Sequence, residues 1–248
     1  MANASHASQV QLAEELYERY VSNAKGSAGL LRRLRYYRKR YMWAAVIGGT
    51  RMMKRAIDIV VSLSLLILGL PFFLVVMLLI KLTDGGPSLF WQARVGYRGR
   101  EFQFPKFRSM VVNAEALKKE LLAQNDHDDS VTFKMKKDPR ITWIGRIIRR
   151  GSIDELPQLW CVLKGEMSLV GPRPPLPIEV EQYTVADRRR LEATPGLTCF
   201  WQVMGRGEIP FDKQVELDAR YIESQSIWLD IKLLFMTIPA VLFGRGAY

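Results

Sequence analysis

Asp154 and Glu155 stand side by side in a stretch crowded with cations. Arg146, Arg149 and Arg150 precede them, and Arg173, set between Pro172 and Pro174, follows. Acid beside concentrated cation suits phosphate chemistry: a carboxylate can hold a divalent metal or attack phosphorus, and an arginine fork binds phosphate oxygens two at a time. Pro157 is tolerated in the first turn of a helix, where backbone N–H groups lack partners, so the pair is expected at a helix N-terminus. Capping alone would account for Asp and Glu there. The cations shift the balance toward chemistry, because a helix start flanked by arginines keeps a carboxylate ionised and also binds phosphate.

Other loops offer further cations. Residues 171–175, Gly-Pro-Arg-Pro-Pro, form a stiff turn that presents Arg173 with little entropy left to lose on binding. Lys106 and Arg108 close a strand-like run, and Arg206 lies between Gly205 and Gly207. His127 sits in the acidic segment 125–129 and reads as part of a solvated turn. With only His6 besides, a Ser-His-Asp hydrolase or a histidine-rich metal centre is hard to build. Two cysteines, Cys161 and Cys199, without a CxxC spacing argue against a disulfide framework or thiolate zinc site and for a reducing compartment. No GxxxxGK[ST] loop supports an ATPase. The formal net charge of +11 points to anionic partners: phosphorylated substrates, acidic lipid headgroups or nucleic acid, the last with no motif behind it.

The elements that must carry these residues divide into three segments. Residues 1–50 read as a polar and basic extension with no secretory signal in the first 30. A helix is expected over 9–20, a small-residue linker over 23–29, and a basic block over 32–55 with nine Lys or Arg and no acid. Tyr36, Tyr37, Tyr41 and Trp43 interleave that block, which favours attachment to an anionic membrane surface. Residues 51–82 form the second segment. Their apolar run, 56–80, holds one charge, Asp58. As a straight helix it would measure about 38 Å, enough for a hydrocarbon core of about 30 Å. Pro71 interrupts it, and cations flank both ends: Arg51, Lys54 and Arg55 before, Lys81, Arg94, Arg98 and Arg100 after. Both facts favour a re-entrant helix-break-helix over a spanning helix. Residues 83–248 read as a mixed domain, with strands over 89–92 and 101–107 around a turn at 96–99, and a strand-like stretch near 197–202. Helices are expected over 114–124, 155–163, 179–193 and 211–224, and the apolar segment 228–243 forms either a core or an interfacial helix. The fold class is α+β, mostly helical with short strands.

Several short motifs recur in order: Lys54-Arg55-Ala56-Ile57-Asp58, Gln92-Ala93-Arg94-Val95-Gly96, Lys106-Phe107-Arg108-Ser109-Met110 and Asp138-Pro139-Arg140. Ser152-Ile153-Asp154-Glu155-Leu156-Pro157-Gln158-Leu159, then 167–174 (MSLVGPRP), then Trp201-Gln202 with Gly205-Arg206 complete the set. Together they resemble the monotopic phosphoglycosyl transferases, often called bacterial sugar transferases, over about residues 52–248. The resemblance implies transfer of a sugar-1-phosphate from a nucleoside diphosphate sugar to polyprenyl phosphate at the cytoplasmic face of the inner membrane. It also implies magnesium, a re-entrant anchor, and a covalent phosphosugar on the aspartate of an Asp-Glu dyad. That dyad falls on Asp154 and Glu155, and the family's phosphate-binding arginines on Arg149 and Arg173. Cys161 stands where the family often has Asn, Cys199 where it often has Gly, and Leu70 where a Ser commonly precedes the membrane proline. The ending Gly246-Ala247-Tyr248 looks like members that move hexoses for exopolysaccharide, which favours a UDP-glucose or UDP-galactose donor. Homo-oligomerisation stays open. So does a second reading from another class, a non-enzymatic basic membrane adaptor for polyanions in which Asp154 only caps a helix.

Overall fold

A computed structural model of the chain describes residues 27–114, 116, 117, 138–205 and 209–242. The expected helix 9–20, the loop 125–129 and the C-terminal tripeptide lie outside the described residues, as does most of the expected helix 114–124. Contacts divide the chain into two units, Met1–Met53 and Lys54–Tyr248.

Helix α1 runs 58 residues, Ser27–Asp84. It takes in Ser27, Ala28 and Gly29 from the expected linker. Within the first unit it exposes Arg33, Arg35, Arg38 and Lys39 together with Leu31, Leu34, Tyr41 and Met42. Its portion Gly48–Asp84 is long and apolar enough to cross a membrane. Pro71 lies inside the helix, whose backbone stays helical on both sides of it. Where two arms separated by a break were expected, the proline is accommodated within one helix, at the cost of the hydrogen bond its missing N–H cannot donate.

In the second unit, one stripe of α1 faces the domain. Ile57, Asp58, Val61, Ser62 and Leu66, then Phe73, Val76, Met77 and Ile80, recur three or four residues apart, the spacing that keeps side chains on one side of a helix. The opposite side exposes Val60, Leu63, Ile67, Leu68, Leu74, Val75 and Leu78. The chain then forms an antiparallel hairpin, β1 (Leu89–Val95) and β2 (Glu101–Phe107), with Leu89 opposite Phe107 and Val95 opposite Glu101. The tight turn needs left-handed backbone at Arg98 (φ 57°) and Gly99 (φ 78°), natural for the glycine and uncommon for the arginine. Alternation along β2 sends Phe102 and Phe104 into the core.

Helix α2 (Trp143–Arg150) starts where Gly145 N–H donates to Thr142 Oγ1 at 2.9 Å. Gly145 permits a close crossing there: a Cβ would meet Ser109 O at 1.9 Å. A 3₁₀ helix (Ile153–Gln158) and α3 (Leu159–Lys164) follow, in place of one α-helix over 155–163. Strand β3 (Ser168–Val170) pairs in parallel with β4 (Gly196–Thr198). Between them, the helix expected over 179–193 divides into α4 (Pro177–Glu181) and a 3₁₀ helix (Asp187–Glu192). The cause is local: Asp187 Oδ2 accepts from Thr184 N at 2.8 Å and Thr184 Oγ1 at 2.7 Å, a side-chain clasp that competes with helical hydrogen bonds. The stretch 197–202 likewise divides into β4 and α5 (Phe200–Met204). Helices α6 (Phe211–Ser224) and α7 (Ile227–Leu242) close the unit.

Phe102, Phe104, Leu159, Val162, Leu169, Tyr221 and Leu233 form the largest core, to which α1 adds Ile57, Val61 and Leu66. Val76, Ile80, Phe107, Ile144 and Ile148 form a second, joined by Phe73 and Met77. Polar ties reinforce the docking of α1. The Arg55 guanidinium donates to the carbonyls of Val162 and Leu163, both at 2.6 Å, a cation at the C-terminus of α3. Lys54 pairs with Asp230 on α7, whose carboxylate also accepts from Tyr221 Oη. Helix α7 buries Asp230 and Leu233 while exposing Trp228, Phe235 and Ile238. The unit is α+β, mostly helical with short strands, and built onto a long apolar helix.

Candidate active site

The turn after α2 sets the acidic pair. Gly151 ends the helix, Ser152 takes a left-handed conformation (φ 52°), and the chain tightens into the 3₁₀ helix that carries Asp154 and Glu155 in its first turn. Ser152, rather than Asp154, occupies the cap position, and it makes no side-chain cap bond. Asp154 is therefore not explained as a cap. β2 brings Lys106 to Glu155, Nζ to Oε1 at 3.3 Å. From the loop after β3, Arg173 reaches the same carboxylate, with Nη2 donating to Oε1 at 2.7 Å. No hydrogen bond to the Asp154 carboxylate is found among the described residues.

The Arg173 loop is held firmly. Gly171 N–H donates to Thr198 O at 3.0 Å and Gly196 N–H to Pro172 O at 2.8 Å. The backbones approach so closely that a Cβ on Gly196 would lie 2.0 Å from Gly171 N. Further along, Val95 N–H donates to Pro175 O at 2.9 Å and Arg94 Nη1 to Pro174 O at 2.9 Å.

Two neighbouring carboxyls consequently behave differently. Burial pushes the Asp154 carboxyl up to about 6, the charge on Glu155 adds to this, and Lys106, Arg149 and Arg173 oppose it. Burial would also raise Glu155, but the charges of Arg173 and Lys106 outweigh it and hold that carboxyl well below the usual range. Burial brings the Lys106 ammonium down to about 8 against the pull of Glu155, with Arg173 and Arg94 lowering it further. Burial and the Arg173 charge bring Arg94 down to about 10. One carboxylate is pinned between cations, while its buried neighbour makes no side-chain hydrogen bond among the described residues. That is the arrangement of a nucleophile beside a fixed electrostatic partner.

Of the residues singled out in the sequence, Asp154, Glu155, Lys106 and Arg173 come together. Arg149 lies half-buried in the last turn of α2 and acts on Asp154 through its charge. Arg108 is not brought to the pair. It is buried against Asp84 at the end of α1, tying that helix to the hairpin. Arg206 lies outside the described residues, and Pro71 lies within α1. Three groups escaped sequence reasoning as site or anchor residues: Arg94, the buried pair Asp138–Arg140, and Asp58. All three stand in motifs quoted above, but spacing alone carried no sign of what they touch.

No group of three or more His, Cys, Asp or Glu side chains that could hold a metal occurs among the described residues. A magnesium ion asks less of a protein, since it keeps waters, takes substrate phosphate oxygens and needs one or two carboxylates. Asp154 and Glu155, adjacent hard-oxygen donors, fit that set.

The bacterial sugar transferase family model matches residues 49–244, which hold every element of this site. The chain belongs to the bacterial sugar transferase family. Among relatives of this family, it is 48% identical over 214 residues to the galactosyl transferase CpsE of Streptococcus agalactiae, covering 86% of this chain and 46% of that protein. It is 46% identical over 203 residues to the undecaprenyl-phosphate galactose phosphotransferase of Salmonella typhimurium, covering 80% and 42%. The chain thus spans less than half the length of these two curated relatives. The exopolysaccharide production protein ExoY of Sinorhizobium fredii is 39% identical over 205 residues, with 82% of this chain and 90% of that protein covered.

Proposed function

We propose that this chain transfers hexose-1-phosphate from a UDP-hexose, glucose or galactose, to polyprenyl (undecaprenyl) phosphate. The products are polyprenyl-diphosphate-hexose and UMP, in a membrane step of exopolysaccharide or related glycan synthesis. The observation that carries the reading is the asymmetry of the acidic pair, with Glu155 pinned by Lys106 and Arg173 and Asp154 buried beside it without a hydrogen-bond partner among the described residues. The names of the galactose-transferring and exopolysaccharide relatives support the substrate class.

In the first step an Asp154 carboxylate oxygen attacks the sugar-bearing phosphorus. A P–O bond to Asp154 forms, the diphosphate P–O bond breaks, and UMP leaves with the electron pair. In the second step an oxygen of polyprenyl phosphate attacks the same phosphorus, and the bond to Asp154 breaks, restoring the carboxylate. Arg173 and Lys106 offer cations for the charge that passes to the leaving phosphate, and Arg149, whose charge also acts on Asp154, adds a third. Asp154 and Glu155 are the residues that would hold magnesium, which, when bound, screens the repulsion between carboxylate and diphosphate.

The site would sit at the cytoplasmic face of the inner membrane, with α1 held in one leaflet instead of crossing to the other. Support comes from both ends of its apolar run packing on the same unit: Ile57 and Asp58 at one end, Val76, Ile80 and Asp84 at the other. A helix crossing the bilayer would leave one of these ends beyond the reach of that unit.

The deciding experiment compares wild type with Asp154→Asn in UMP release from UDP-glucose and UDP-galactose, with polyprenyl phosphate and magnesium present. Near-complete loss of release with unchanged membrane association is expected. In rapidly quenched samples without acceptor, radiolabelled donor should leave label on wild type and none on the variant. Full turnover by the variant would refute the mechanism, and a wild type that binds membranes yet never releases UMP would favour the adaptor reading.

A further inference from the structure

Arg94 lies beside the acidic pair without touching it. Its guanidinium commits three of its five N–H groups to protein acceptors: Nε and Nη2 donate to Gln92 Oε1 at 3.1 and 2.8 Å, and Nη1 donates to Pro174 O at 2.9 Å. Its guanidinium carbon lies over the Phe104 ring, 5.2 Å from the centroid. The Lys106 ammonium lies 5.1 Å from the centroid of that same ring. The next residue, Val95, donates its N–H to Pro175 O. Two successive residues of β1 therefore grip two successive carbonyls immediately after Arg173, and one of them shares an aromatic platform with Lys106. These are the two cations that pin Glu155.

We propose that Arg94, oriented by Gln92, is a positioning residue for the transfer reaction: it fixes the loop that presents Arg173 and the ring on which Lys106 rests, and so sets the placement of both cations about Glu155. This rests on the function proposed above. A cation placed among other cations weakens a fold unless its geometry does something, and here the planar fork reaches a side-chain amide and a carbonyl in two directions while lying over a ring. Lysine has one ammonium with no fork and no flat face, so it cannot hold all three contacts. Misplacing a group by about 1 Å in a site of this kind costs on the order of 10²-fold in rate.

The test is a double-mutant cycle on full-length protein reconstituted in bilayers, measuring UMP release against donor concentration for wild type, Arg94→Gln, Arg173→Gln and the double variant. Arg94→Gln should lower kcat/KM by roughly 10²-fold, Arg94→Lys should recover little of it, and Gln92→Ala should give a smaller loss in the same direction. Because Arg94 acts in part through Arg173, the double variant should lose less than the product of the two single losses. Additive losses in the cycle, or an Arg94→Gln enzyme equal to wild type, would overturn the assignment. If Arg94→Gln does not fold, the same cycle run with Gln92→Ala decides between coupling and additivity. An inactive wild type would instead count against the proposed function, so the two failures are told apart.

Discussion

Replacing Asp58 separates two pictures of the apolar helix by the sign of one energy. Asp58 is the single charge in residues 56–80, yet it is 5% exposed, and its Oδ1 accepts from Ser168 Oγ at 3.1 Å and Leu169 N at 3.0 Å. Strand β3 pairs with β4 through Ser168 and Val170, so the intervening Leu169 N–H points the other way and takes Asp58 as its acceptor. Hydrogen bonds to a charged group contribute about 1.5–3 kcal/mol each, and an unpartnered buried donor carries a desolvation cost of similar size. Asp58→Ala should therefore destabilise the second unit by about 3–5 kcal/mol. At about 2–4 °C per kcal/mol for a unit of this size, that is a fall in Tm of roughly 10 °C. Asp58→Asn keeps an acceptor oxygen and should cost about 1–2 kcal/mol. The assay is thermal unfolding of detergent-solubilised protein followed by tryptophan fluorescence. A helix standing in lipid away from the domain would behave oppositely, because an aspartate costs up to about 2.5–3.5 kcal/mol in a membrane helix, the most at its centre and less near an end such as Asp58, and its removal would relieve that cost. An Asp58→Ala protein as stable as wild type, or more so, would refute the docking of α1 on β3.

Three further outcomes follow from the same geometry. Asp154 rises from 3.8 in its ordinary state to about 6 in the fold, so its ionised form costs stability at neutral pH, and this cost shrinks as pH falls through 6 and is gone well below 3.8, where both states are protonated. Asp154→Asn should therefore be more stable than wild type at pH 7, by up to about 3 kcal/mol, and lose most of that advantage by pH 4; equal stabilities at both pH values would contradict the burial of its charge. With Cys161 and Cys199 replaced, a cysteine at Leu31 should resist an impermeant thiol reagent in intact cells and react after permeabilisation, whereas labelling in intact cells would show that the helix spans. In a donor screen, UDP-glucose or UDP-galactose should support UMP release well above the N-acetylated donors, since a pocket that hydrogen-bonds a 2-hydroxyl has little complementarity for an acetamido group; the reverse order would reject the sugar while leaving the transferase intact.

What the sequence disclosed about the fold was its local part. The apolar periodicity of α6 places the helix at Phe211–Ser224, and the alternation around the Gly96–Gly99 turn places the hairpin. Failures came where a local side-chain bond or a tertiary neighbour overrode propensity. Thr184 and Asp187 divide one expected helix, and Pro71, which reads as a breaker, is carried inside α1 by a segment packed on both sides of it. Arg108 shows the limit at single-residue scale. It lies two positions from Lys106 and carries the same charge, but β2 ends at Phe107, and beyond it the side chain turns to Asp84.

The acidic pair itself was legible, because Asp and Glu beside arginines are a chemical statement in composition alone. Which of the two carboxylates is held and which is free was not, because nothing local distinguishes them. Glu155 is held by Lys106, 49 residues away, and by Arg173, 18 residues away, and the loop bearing Arg173 is steadied by Arg94, 80 residues from the carbonyl it grips. Those separations close only once β2 lies against the 3₁₀ helix and β1 lies against the loop after β3. Topology thus assigns the roles. In the proposed reaction the residue whose charge Lys106 and Arg173 satisfy serves as the fixed electrostatic partner, and the one whose burial raises its pKa, with no hydrogen bond among the described residues, serves as the nucleophile. Exchanging the two residues, Asp154→Glu with Glu155→Asp, preserves composition and net charge. It should nevertheless abolish transfer, because the longer side chain would then extend from the unpartnered position and the shorter one would fall short of Arg173.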